Sequence, residues 1–186
     1  MGDDQYQQLH DILARCKSRD QLFDTVVNAP FTYRVETTRL SLGIIVLLLG
    51  NKADGMIHRV ALSSTEMAAG TEDVSVKRFA DIKIPLDYEH NLIAEVIRTQ
   101  QPKLTTDWQY LFAPALTPQE ARLNQAGGSI ACSVVYPLVD VGDGGALIFS
   151  YYQYPEYLGD VHDEFMDTYS HLVANRLRSL QLAATV

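Results

Sequence analysis

The side chains in this sequence whose types could do chemistry are two cysteines, a few histidines and a group of aromatics near one tryptophan. Neither Cys16 nor Cys132 has a second cysteine or a histidine at zinc-ligand spacing, so no metal framework can be read. Cys132 alone could serve as a thiol nucleophile, but that chemistry needs a base and a lowered thiol pKa, and no histidine is close in sequence. A reduced, buried, structural cysteine is the simpler reading. His162 and His171 are nine positions apart on one helical stretch. At ~100° per residue they fall on opposite sides and cannot share a metal. Asp160, Asp163 and Asp167 share a face near the start of that stretch, where the helix N-terminus and solvent account for them. Gly142-Asp143-Gly144-Gly145 has the glycines of a phosphate loop, yet Leu147 holds the final glycine place and a strand follows where a helix should begin. It reads as a hairpin turn.

What is left is an aromatic group with a few polar members: Asp107, Trp108, Tyr110, Phe112, Ser129, Cys132 and Tyr136. Such a mixture suits a small-molecule cavity. It suits ordinary core and loop packing equally well.

The elements that must position these residues follow from periodicity. Tyr6, Leu9, Ile12, Leu13 and Cys16 mark one face of an opening helix over 5–17, and a second helix follows Ser18 until Pro30 interrupts or ends it. Residues 40–49 are a buried strand that turns through NKADG at 51–55 into an alternating strand at 56–62. The polar, small stretch 63–75 reads as a loop or a mobile short helix. Residues 81–86 suggest an edge strand because of Pro85, 90–100 a helix stopped by Pro102, and 103–106 a brief strand. A long connection over 107–128 carries a short helix at 117–125, and connections of this length are commonly functional. Ser129–Val141 and Gly145–Tyr152 then form the central hairpin, and a helix over 160–182 closes the chain. Helices packed against an antiparallel sheet define an α/β fold of the α+β type, one domain over 1–186.

Composition bounds the rest. With 186 residues and 47% hydrophobic content, one sizeable core can form. The net charge of −8 repels nucleic acid and anionic membrane surfaces, which argues against both as partners. Leu40–Gly50 is about half the ~20 apolar residues that cross a bilayer, and Met1-Gly2-Asp3-Asp4 is unlike a basic, then apolar, secretory leader. A cytoplasmic protein without membrane insertion is expected, and no cofactor is implied by the residues alone.

The order of features resembles a GAF domain. The resemblance rests on IPLDYEHNLIAEVIRTQQPKLTTDW at 84–108, SIACSVVYPLVDVGDGGALIFSY at 129–151 and the final helix, which together with the elements between them span most of the chain. Val96, Thr99, Pro102 and Asp107 occupy the family's V-x-x-T-x-x-P rhythm and its strand-closing Asp, and Pro137, Leu138 and Gly145 match its second hairpin. PAS domains share the general shape. The resemblance implies a roughly six-stranded antiparallel sheet, amphipathic helices on one face, and a ligand cavity under loops on the other. It also implies terminal helices that dimerise, with Tyr6, Leu9, Leu13, Leu172 and Leu180 as the exposed interface candidates. Members that bind cyclic nucleotides carry an Asn-Lys pair where Ser150-Tyr151-Tyr152 stands here, and bilin-binding members follow their cysteine with histidine where Ser133 stands here. The expected role is a non-enzymatic sensory or regulatory domain whose small-molecule ligand the sequence does not name. The alternatives are a ligand-free dimerising scaffold and a thiol-dependent reductase like the family's free methionine sulfoxide reductases.

Overall fold

A computed structural model describes residues 3–32 and 40–183, and the side chains of 4–32 and 40–180. Helices α1 (Asp3–Arg15) and α2 (Arg19–Thr32) lead into strands β1 (Leu42–Asn51) and β2 (Met56–Leu62). Helix α3 (Glu66–Val74), a 3-10 turn at Phe79–Asp81, strand β3 (Lys83–Pro85), helix α4 (Leu92–Thr99) and strand β4 (Lys103–Thr105) follow. Helices α5 (Gln109–Phe112) and α6 (Pro118–Gly127), strands β5 (Cys132–Pro137) and β6 (Gly145–Tyr151), and the long helix α7 (Asp160–Ala183) complete the order. The six strands form one antiparallel sheet ordered β3-β2-β1-β6-β5-β4.

Strand β1 is apolar without interruption because both faces of the sheet are covered. Ile45, Leu47 and Leu49 face a core shared with α1, α2 and α7, while Ile44, Val46 and Leu48 face a second core beneath α3 to α6. The expected helical face is therefore present, with α1, α2 and α7 on it. The opposite face, expected under loops, carries four short helices. Residues 63–75 hold α3, capped by Thr65, whose hydroxyl accepts from Ala68 N–H and donates to Gly43 O at 2.7 Å.

Two boundaries and one expected surface differ from the sequence reading. Pro30 does not end α2 but lies in its last turn. The strand expected over 129–141 is confined to Cys132–Pro137, and the chain turns back through Asp140, Gly142 and Gly144, all at positive φ. Leu9 and Leu13, expected on an exposed seam, are fully buried in this chain's own core. Arg176 of α7 explains why. It donates to the carbonyls of Leu13 at 3.0 Å and Cys16 at 2.5 Å, which satisfies the C-terminal end of α1 and holds that helix against α7. Tyr6, Leu172 and Leu180 pack around the same core while keeping part of their surface free.

Candidate functional site

The second core is hollow on one side. A cavity of about 510 Å³ opens between β2, α3, the Phe79–Asp81 turn, α5 and α6, a size typical of small-molecule sites. Of its charged members, Glu72, Lys77 and Arg78 are exposed, and Arg59 is half-buried. In β2, Ile57 pairs with Ile84 and Arg59 with Leu48, so both point to the face that α3 to α6 cover. A bulge beyond Arg59 brings Ala61 opposite Leu47, so that Val60 and Ala61 both pack toward α1 and α2 instead.

The Arg59 guanidinium lies 4.1 Å from the centroid of the Phe79 ring and 5.0 Å from that of Phe112. Rings at this range attract a cation. They supply no acceptor, and Arg59 Nε, withdrawn from solvent, has no hydrogen-bond partner among the described residues. Burial pushes the guanidinium pKa down to about 9, with Glu72 at the rim working the other way. The group is therefore charged at neutral pH, and the half-buried guanidinium sits between two rings.

The roof is built by close helix packing. A Cβ on Gly70 of α3 would fall 2.3 Å from Gly127 O, and one on Gly127 would fall 2.4 Å from Gly70 O, so only glycine lets α3 and α6 cross this closely. Helix α6 starts in a capping box of Thr117 and Glu120. The buried Asn91 ties α4 to α5: its Oδ1 accepts from the Ile93 and Ala94 N–H groups, and its Nδ2 donates to Leu111 O and Ala113 O. Lys77 spans the front, its ammonium donating to Ala115 O.

The sequence candidates divide four ways. Trp108 and Phe112 line the cavity, edge to face at 5.3 Å, and Trp108 Nε1 donates to Ser133 Oγ, which lies 2.7 Å from Ser150 Oγ. Asp107 braces the roof: Arg122 donates to it at 2.7 Å and Gln109 N–H at 3.0 Å. Burial acts to raise the Asp107 pKa, but these donors outweigh it and hold the carboxyl below the usual range. Tyr110 and Ser129 are exposed. Cys132 and Tyr136 lie in the core beneath α7, on the far side of the sheet. Strand alternation is the cause, since Ser133 and Val135 are the β5 residues that face the cavity side. Arg59, Phe79 and Asn124 line the cavity and were not among the candidates. The parity of Ile57 and Arg59 on an alternating strand is the signal that could have found the arginine.

A second hollow of about 520 Å³ lies between Arg19, His58 and Asp143, so volume does not separate the two. His58 meets Asp54 at 2.8 Å, Asp143 accepts from Lys52 N–H at 2.8 Å, and Arg19, 5.5 Å from the centroid of the Phe23 ring, is exposed to solvent rather than withdrawn from it. Among the described residues no cluster of three or more His, Cys, Asp or Glu could hold a metal, and no helix is long and apolar enough to cross a membrane.

No family model matches the chain, and no curated protein matches it in sequence. Solved structures do match its fold. One is residues 122 to 287 of a methyl-accepting chemotaxis protein, with TM-score 0.64 and 14% identity over 96% of this chain and 100% of that one. Another is the GAF domain of a phosphoenolpyruvate-protein phosphotransferase from Coxiella burnetii, with TM-score 0.64 and 14% identity over 98% and 96%. A third is the free methionine-R-sulfoxide reductase of Neisseria meningitidis in complex with its substrate, with TM-score 0.60 and 8% identity over 98% and 95%. The fold of this chain is that of a GAF domain.

Proposed function

We propose that this chain is a non-enzymatic sensory or regulatory domain, working in the cytoplasm, that binds a small molecule in the cavity around Arg59, Trp108 and Phe112. The observation that carries this reading is a charged guanidinium held between two rings, with no partner for its Nε among the described residues, in a cavity of ligand size. Arg59 is half-buried, but its Nε is withdrawn from solvent, and a donor kept there without a partner is costly, so its retention is best explained by something that arrives to pair with it. That several structures of the same fold are GAF domains of phosphotransferase and signalling proteins supports the regulatory role.

A signal needs a ligand that prefers one of two conformations. The hydrogen-bonded line Trp108–Ser133–Ser150 offers a route, because it joins the cavity wall to the two central strands. The neighbours of these serines, Cys132 and Tyr151, face α7, and Tyr151 meets His162 in an edge contact at its first turn. Through α1 and α7 the chain would form a homodimer whose seam is the remaining free surface of Tyr6, Leu172 and Leu180.

The test is a thermal-shift screen of the purified chain against organic acids, amino acids, nucleotides and tetrapyrroles. A ligand at 100 times its Kd stabilises the native state by about 2.7 kcal/mol, which is roughly 5–10 °C in a chain of this size. Light scattering on the same sample should give twice the chain mass. No shift with a dimeric mass would favour the scaffold alternative.

The reductase alternative has less support. Cys132 is buried, burial pushes its thiol up to about 11 with Glu156 adding to the effect, and it is separated from the cavity by the sheet. Cys16, the other cysteine, is buried at the end of α1.

A further inference from the structure

Among the described residues, two buried polar atoms along the cavity lack partners, and they are of opposite sense: Arg59 Nε is a donor and Asn124 Oδ1 an acceptor. Which end of the Asn124 amide is free follows from its neighbour. Ser75 Oγ gives its single proton to Lys77 O at 2.7 Å, so toward Asn124 it can only accept. The amide group 3.0 Å from it must then be Nδ2, which leaves Oδ1 in want of a donor.

Charge narrows the class further. Of the cations along the cavity, Arg78 is paired with Asp81 at 2.8 Å and Lys77 donates to a backbone carbonyl. Arg59 makes no ion pair among the described residues, and its neighbours include Phe79, Phe112 and Ile82. Counted with the carboxylates Glu72 and Asp81, the cations Arg59, Lys77 and Arg78 leave one net positive charge (three minus two) along the cavity, which suits a single negative charge. A second would enter without a partner, and an ammonium would be repelled by the guanidinium. With its face against the rings, the guanidinium keeps an N–H edge for the two oxygens of a carboxylate.

Resting on the cavity as a ligand site, we infer that its occupant is a small organic monocarboxylate bearing a neutral hydrogen-bond donor, of which a hydroxy acid is the simplest. The carboxylate takes Arg59, the hydroxyl donates to Asn124 Oδ1, and the apolar body lies against Trp108 and Phe112.

The experiment is calorimetric titration and thermal shift of the full chain with hydroxy acids of increasing size, their deoxy counterparts, the matching primary amides, alkylamines and inorganic phosphate. Hydroxy acids should bind on the order of tenfold tighter than deoxy acids, and the amides and amines should not bind measurably. Arg59→Met should weaken acid binding by roughly 10–100-fold while its ligand-free Tm stays level or rises, because an unpaired charge has been exchanged for an apolar chain of similar length. Asn124→Leu should erase the gap between hydroxy and deoxy acids and leave acid binding itself in place. Amides or amines that bind as well as acids, phosphate that binds tighter than any acid, or an Arg59→Met protein within twofold of wild type would overturn the acid reading while the cavity reading stands. Silence from every compound in this panel and in the broader screen would overturn both.

Discussion

The two faces of the sheet are built from the same strands and put to opposite use. Under α1, α2 and α7, Phe165 stacks on Tyr169 with ring centroids 5.6 Å apart and meets Phe149 edge to face at 5.8 Å, all three fully buried. The Tyr169 hydroxyl is satisfied by Val26 O at 2.7 Å, and burial pushes its pKa far up. Under α3 to α6, short helices capped by side chains enclose a cavity, and a charged arginine is left between rings. Among the described residues, Tyr151 OH and Ser170 Oγ also lack partners on the first face, but both are neutral. One face is thus packed for stability, and the other keeps a charge at a cost in stability. Sites that bind are drawn from the less stable parts of a fold for this reason.

The sharpest way to break the comparison is to cut into each face. Phe165→Ala removes a fully buried ring and should cost about 3–5 kcal/mol, read by urea unfolding. It should do so equally with and without a bound ligand. Gly127→Ala acts on the other face, where the added methyl would meet Gly70 O and Val74 Cγ2 at 2.4 and 2.6 Å. Here the expected loss is smaller, about 1–3 kcal/mol, but ligand affinity should fall with it because α3 and α6 must separate. If Gly127→Ala left binding untouched, the crossing would not be shaping the cavity. If Phe165→Ala changed affinity at equal folding, the two faces would not be independent.

This division also explains what could be read from the sequence. Strand β1 announced itself through an apolar run, its hairpin through Asp54-Gly55, where Gly55 takes φ +71°, and α7 through its stripe of Phe165, Tyr169, Val173 and Leu177. These belong to or border the packed face, where burial is purchased with hydrophobic side chains in regular periods. The sequence of 63–75 does not separate loop from helix because the contact of α3 with α6 is made by glycine backbone, which has no hydrophobic period to detect. In the cavity, Trp108 and Phe112 were legible as aromatics in a long connection. That Cys132 and Tyr136 face away from the cavity is not legible, because the face of β5 depends on parity, which one sequence without its partner strands does not set. Arg59 escaped because a charge on an alternating strand ordinarily faces water, whereas here α3 to α6 cover that side.

The smallest effect concerns the roof. Asp107 is held below the usual carboxylate range, burial opposing and the donors Arg122 and Gln109 N–H prevailing. A depressed folded pKa means that this group stabilises the protein above its unfolded value near ~3.9, and that the contribution disappears as pH falls through the folded value. Asp107→Asn keeps an acceptor for Gln109 N–H but loses the charge that Arg122 meets at 2.7 Å. Its Tm should lie slightly below wild type at pH 7, and the gap should close toward pH 3. Hydrogen exchange should locate the change in the amides of α5 and α6 and leave those of α7 protected. A gap of the same size at pH 3 would assign the effect to geometry at the start of α5 rather than to charge. Faster exchange in α7 would mean that the roof and the packed face open together, which is the coupling that a signal from cavity to terminal helix requires.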